Sequence, residues 1–135
     1  MKKILFAFLL LFGFSAVASA EKEVASTGVV FQVNGDKADF KRALILASNM
    51  REALTKAKFE IVVYGENVKL LNAFSDAMPL IQKVQNEGIQ IIACDRSLKS
   101  EHLDPGDLAP GIKVVPFGAV HIVNRQKQGW QYIKP

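Results

Sequence analysis

Apolar positions along this chain follow two rhythms: short, nearly continuous runs closed by turn residues, and longer stretches in which they recur every three or four residues. The run Thr27-Gly-Val-Val-Phe-Gln-Val33 is rich in β-branched and aromatic residues and is closed by Asn34-Gly35-Asp36, which predicts a first strand. From Asp36 or Asp39 onward Phe40, Leu44, Ala47, Met50, Leu54 and Ala57 share one face, with Lys41, Arg51, Glu52 and Lys56 on the others. That spacing predicts an amphipathic helix of about five turns. Phe59 to Tyr64 gives a second strand, stopped by Gly65-Glu66-Asn67.

An irregular stretch, Val68 to Phe74, leads to Ser75-Asp76, whose side-chain oxygens suit a helix start with Pro79 in the first turn and Leu80, Ile81 and Val84 on its apolar face. Gly88 suits the left-handed position after that helix, and Ile89 to Cys94 is the third strand. Two prolines and two glycines break Asp95 to Gly111, leaving room for a short helix over Ser97 to Leu103 and a turn at Asp104-Pro105-Gly106. Ile112 to Pro116 is a short fourth strand. A helix over Ala119 to Gln128 ends at Gly129, and Trp130 to Pro135 alternates as an edge strand would. Strands of five to seven residues alternating with helices predict an α/β fold, a mostly parallel sheet covered on both faces. No repeat or linker divides the chain, so one domain is expected.

The amino terminus departs from this pattern. Lys2 and Lys3 precede an apolar segment, Ile4 to Phe14, and Ala18-Ser19-Ala20 provides the small residues that signal peptidase requires. Residues 1–20 therefore read as a signal peptide and 21–135 as the mature domain, exported, with a bacterial periplasm as the expected compartment. The segment is short for a membrane span, which needs about 20 apolar residues, and no membrane association is expected after cleavage. Lipid attachment is not expected, because Glu21, not cysteine, follows the expected cut.

Half of the 135 residues are apolar and the mean hydropathy is +0.16, an excess that the leader largely explains. Removing it lowers the formal charge from +4 to +2, fifteen basic against thirteen acidic residues, and these are interleaved. Nucleic acid is therefore not an expected partner. The usual catalytic signatures are absent: no glycine-rich dinucleotide fingerprint, phosphate-binding loop, His-Glu-x-x-His or Cys-x-x-Cys. His102, His121 and Cys94 are too few to close a zinc or copper site without a fourth group, so neither metal nor cofactor is expected. His102 reads as a solvated loop residue and His121 as a helix-surface or interface residue.

Cys94 is the single cysteine, and two readings of it stay open. After Ile-Ile-Ala it suits a small core position. It also ends a strand of a parallel sheet, where ligands gather, beside the loops at Asn34, Gly65, Asn67, Pro116 and Gly118. A helix beginning near Ser97 directs N–H groups at the thiol and Arg96 adds positive charge, whereas Asp95 opposes thiolate formation.

The segments Gly88-Ile-Gln-Ile-Ile-Ala-Cys94, Asp107-Leu-Ala-Pro-Gly-Ile-Lys-Val-Val-Pro116, Gly118-Ala-Val and Gln126-Lys-Gln-Gly-Trp-Gln-Tyr-Ile-Lys-Pro135 resemble the DsrE family of small α/β proteins. The resemblance spans the mature chain and is strongest from Gly88 onward. It implies a three-layer α/β/α sandwich with a five-stranded, mostly parallel sheet, and a homo-oligomer, trimer or hexamer. It also implies a sulfur relay in which a cysteine at the end of strand three, six residues after a glycine, carries sulfur as Cys94 would between a donor and an acceptor. Two features depart from the relay members. Those are cytoplasmic, and Asp95-Arg96-Ser97 replaces the small and basic residues that follow their carrier cysteine.

Two functions from different classes follow. In one, Cys94 is a persulfide site, supported by Asn34, Gly65, Asn67, Arg96, Ser97, Pro116 and Gly118, in a carrier rather than a conventional enzyme. In the other, the protein is a non-catalytic periplasmic binding or assembly module and Cys94 is structural. Trp130, Tyr132 and Ile133, with the last helix, are the expected subunit contact.

Overall fold

The computed structural model describes residues 28–135. The expected leader over 1–20, the cleavage point before Glu21 and the first strand residue Thr27 lie outside the described residues. Five strands and four α-helices follow in the order β1 (Val29–Val33), α1 (Lys37–Ala53), β2 (Phe59–Val63), α2 (Met78–Asn86), β3 (Gln90–Cys94), α3 (Asp95–Ser100), β4 (Lys113–Val115), α4 (Gly118–Lys127) and β5 (Gln131–Ile133). A 3₁₀ helix (Gly65–Leu71) precedes α2 and a short one (Pro105–Asp107) precedes β4.

The sheet order is β4-β3-β2-β1-β5 and every pairing is parallel. The first four strands step outward in sequence, and α4 then carries the chain back across the sheet so that β5 lies beside β1 at the other edge. Strand alternation divides the core in two. On one face Phe31, Ile61 and Ile91 pack with Phe40 and Leu44 of α1, Ile81 of α2 and Leu98 of α3. On the other, Val30, Val62 and Ile92 pack with Ile122 of α4, flanked by Tyr64, Val115 and Trp130. This is the expected three-layer sandwich, with one unequal layer. A single helix covers the second face, leaving Val120 and Val123 about half exposed on its outer side.

Several boundaries differ from the expected ones, each for a local reason. Asp36 and Asp39 form a reciprocal capping box that starts α1, but the helix ends at Ala53 rather than Ala57. The Arg51 guanidinium donates to the carbonyls of Leu54 and Thr55, holding the turn that follows the helix. Leu54 and Ala57 still pack on the core, so the apolar spacing outlasts the helix. Ser75 and Asp76 do not cap α2. Its first flanking residue is Ala77, without a side-chain cap, and the Ser75 hydroxyl instead donates to the Leu70 carbonyl at 2.7 Å. The stretch expected to be irregular is largely the first 3₁₀ helix, which buries Asn67, Val68 and Leu71; its three-residue period matches neither a strand nor an α-helix.

The helix expected over Ser97 to Leu103 begins two residues earlier and ends at Ser100. At the carboxyl end, Trp130 is half-buried. Its ring lies beneath the Arg125 guanidinium at 4.5 Å and packs on the second core, so a Cβ at Gly28, where φ is +143°, would come within 2.8 Å of it. Ile133 packs on the first core, and of the three expected contact residues Tyr132 alone stays exposed.

Candidate functional site

Cys94 occupies a junction with no loop: it is the last residue of β3 and the residue that flanks the first turn of α3. Gly88, at φ +81°, turns the chain out of α2 into β3, and the alternation that follows puts Ile91 and Ala93 on the first face and Ile92 and Cys94 on the second. The pairing of Val63 with Ala93 continues to set Cys94 beside Tyr64, and Val115 of β4 is its partner on the other side. Gly118, the first residue of α4, lies directly over it. A Cβ there would approach the Cys94 Cβ and Val62 Cγ1 to 3.2 Å and the Tyr64 ring to 3.3 Å. The absent side chain is therefore what lets the amino end of α4 approach the sulfur.

The residue is only 5% exposed, and its Sγ makes a long contact, 3.9 Å, with the Pro116 carbonyl oxygen. Burial by itself pushes the thiol pKa up. The donors grouped around it, the Ser97 hydroxyl and the backbone N–H groups of Gly118, Ser97 and Arg96, outweigh that and hold it below the ordinary 9.0. Ser97 is oriented for this role because the Gly65 N–H donates to its Oγ at 2.9 Å, leaving the hydroxyl hydrogen free to point elsewhere. Gly65 itself sits at φ +66° at the end of β2. Outside, the Arg96 guanidinium lies 5.8 Å from the Phe117 ring centroid, and both side chains are exposed at the rim.

Tyr64 extends the site toward the other edge of the sheet. Its phenol is pushed above the ordinary 10.0, first by burial and then by the neighbouring Tyr132 and Cys94, against a hydrogen bond with Gln32. The Tyr132 hydroxyl also donates to Gln32 Oε1, and Gln32 Nε2 donates to Asn34 Oδ1 at 3.0 Å. A polar row thus runs across the carboxyl ends of β5, β1 and β2 toward the thiol of β3.

Of the residues expected around Cys94, the fold gathers Gly65, Arg96, Ser97, Pro116 and Gly118; the Arg96 amide, near the sulfur, donates to the Pro116 carbonyl at 3.4 Å, and its charge lies at the rim. Asn34 joins through Gln32. Asn67 does not join: it is buried in the 3₁₀ helix, where its amide donates to the Asp36 carbonyl at 3.4 Å. Tyr64, Gln32 and Tyr132 were missed. The parity of β2 already places Tyr64 with Glu60 and Val62, but its meeting with Cys94 depends on register between strands about thirty residues apart.

A second polar cluster lies lower on the same face. Glu60 of β2, 3% exposed, accepts from Arg125 at 2.6 and 2.9 Å and contacts His121 Nε2 at 2.8 Å, both on α4. Burial pushes its carboxyl up, and the bonds and charges of Arg125 and His121 hold it below the ordinary 4.5. His121 is therefore a partner of a buried carboxylate rather than a free surface side chain, whereas His102 is exposed in the turn after α3. Among the described residues no three His, Cys, Asp or Glu side chains converge on a metal position, and no helix is long and apolar enough to cross a membrane. A groove of about 550 Å³ between α1 and α2, lined by Phe40, Leu44, Leu70 and Leu80, opens on the first face, away from Cys94.

This arrangement can stabilise a sulfur anion and return it as a leaving group. No curated protein matches the chain. Among solved structures, a protein of unknown function from Methanobacterium thermoautotrophicum is 34% identical, with a TM-score of 0.71 over 82% of this chain and all of that one. Another of unknown function, from Bacteroides thetaiotaomicron, shares the fold at 20% identity and TM-score 0.65, over 82% of this chain and 96% of its own. The model of the DsrE/DsrF-like family matches residues 27–135, nearly all of the chain beyond the expected leader, and the protein belongs to that family.

Proposed function

We propose that the protein is an exported sulfur carrier in which Cys94 holds a persulfide. The observation that carries this reading is the place of Cys94 at the β3–α3 junction, directly beneath Gly118 and within the first turn of the helix that carries Ser97, where the hydroxyl and the amide groups favour the thiolate against burial. In the first step the Cys94 thiolate attacks the outer sulfur of a donor persulfide. A new S–S bond forms at Cys94, the donor S–S bond breaks, and the donor leaves as its thiolate. An acceptor thiolate then attacks the outer sulfur on Cys94 and releases the Cys94 thiolate. Neither step changes the net oxidation state, and both favour a cysteine that is nucleophile and leaving group in turn. The charge and apolar pattern of residues 1–20, read as a signal peptide, is what supports a periplasmic location, and a mature protein beginning at Glu21 by mass spectrometry checks it.

A trimer or hexamer is the assembly we propose, with the outer side of α4, Val120 and Val123, and the neighbouring Phe117 and Tyr132 as the contact. The 5% exposure of Cys94 favours the competing reading, a binding or assembly module whose cysteine only packs. Incubation with a persulfide or thiosulfate donor separates the two. The carrier gains one reducible sulfur at Cys94 and Cys94→Ser folds and assembles without that gain. Equal uptake by the variant, or no uptake by either protein, rejects the carrier.

A further inference from the structure

The amino end of the sheet, opposite Cys94, holds a concavity of about 530 Å³ between the ends of α1 and α4 and the starts of β2, β3 and β4. Its walls bring together Arg51, Lys56, Lys58, Lys113 and Arg125 against one carboxylate, Glu60. The described residues carry fourteen basic and eleven acidic side chains, so this hollow contains more than their entire positive excess. Two of the cations are committed. Arg125 is neutralised by Glu60, and Arg51 binds the carbonyls of Leu54, Thr55 and Glu87. Offsetting the negative ends of helices accounts for Arg51 but not for the three lysines, which lie in the loop before β2 and on β4. None of these lysines forms an ion pair with a described residue, and Lys113 is steadied by Gln90 Oε1 at 3.1 Å.

We infer that this hollow is a binding site for a small multivalent oxyanion, a phosphate ester or diphosphate, held by Lys56, Lys58 and Lys113. Unpaired like charges converging on a concave, polar surface repel one another until an anion is shared between them, and lysine ammoniums serve as point-charge donors to such oxygens. The volume falls within the roughly 300–1,000 Å³ usual for small-molecule sites. The site is independent of the reading of Cys94. The two lie at opposite ends of β3, about 13 Å apart along the strand.

Titration of the protein with pyrophosphate, followed by calorimetry and by amide chemical shifts, tests the inference. The expected result is saturable binding that weakens with added salt, with shifts at Lys56, Lys58, Gln90 and Lys113. Lys58→Gln/Lys113→Gln is expected to weaken it about tenfold or more. Lys37→Gln/Lys41→Gln, an equal charge loss at the other end of α1, is expected to leave it within about twofold. No saturable shift up to about 10 mM pyrophosphate, shifts mapping elsewhere, or equal weakening by both double variants would overturn the site.

Discussion

At Cys94 opposing effects of similar kind meet: burial penalises the charged sulfur, and a hydroxyl with three amides favours it. Ser97 is the one side chain in that balance, so Ser97→Ala is expected to raise the midpoint of the pH profile for reaction of the thiol with a small alkylating reagent, while wild type stays below the ordinary value. A profile unmoved by the substitution would assign the effect to the backbone alone. Glu60 is a similar contest with a consequence for stability. Its folded pKa is depressed, so it contributes stability that is present above the unfolded value of 4.5 and is lost as pH falls through the lower folded value. Glu60→Gln is expected to flatten that acid limb in denaturation measured across pH. Glu60→Ala, which strands Arg125 and His121, is expected to cost roughly 3–5 kcal/mol at neutral pH. The place of Cys94 was legible in the sequence because a lone cysteine closes an apolar run before helix-compatible residues. The roles of Tyr64, Glu60 and His121 were not, since each depends on which strand or helix lies opposite.

Among the elements, α4 brings the amide of Gly118 to the sulfur and covers the second face alone. Gly118→Ala places a methyl 3.2 Å from Cys94 Cβ and Val62 Cγ1, beneath a helix that has to shift to accept it. The expected cost is about 1–3 kcal/mol in chemical denaturation, accompanied by a rise in the thiol pKa as the amide withdraws. A variant as stable as wild type with an unchanged thiol would show that the close approach has no consequence. Strand positions were readable to within about two residues because the first four strands are compact β-branched runs and the fifth alternates apolar and polar residues. Helix ends were less so: the apolar face of α1 continues through Leu54 and Ala57, past the last helical residue, into a turn whose Leu54 and Thr55 carbonyls Arg51 binds. Asn67 was misplaced for the same reason, as a residue in a 3₁₀ turn faces a direction that neither familiar period predicts.

For the whole molecule, the inequality of the two outer layers is the feature with the widest consequence. Three helices cover one face and one covers the other, and the single helix keeps Val120 and Val123 in water while Trp130 is turned inward. Light scattering at micromolar concentration is expected to return a trimer or hexamer, and Val120→Asp/Val123→Asp a folded smaller species. A wild-type monomer would remove the reason for that exposed face. The proposed export and the proposed sulfur transfer meet in one observable, the chemical state of Cys94 in the cell. The most direct measurement is the mass of the Cys94 peptide from protein isolated from its native compartment without reductant. A peptide carrying one additional sulfur that reductant removes is the predicted result; a peptide found solely as the free thiol or as irreversibly oxidised cysteine would contradict the account.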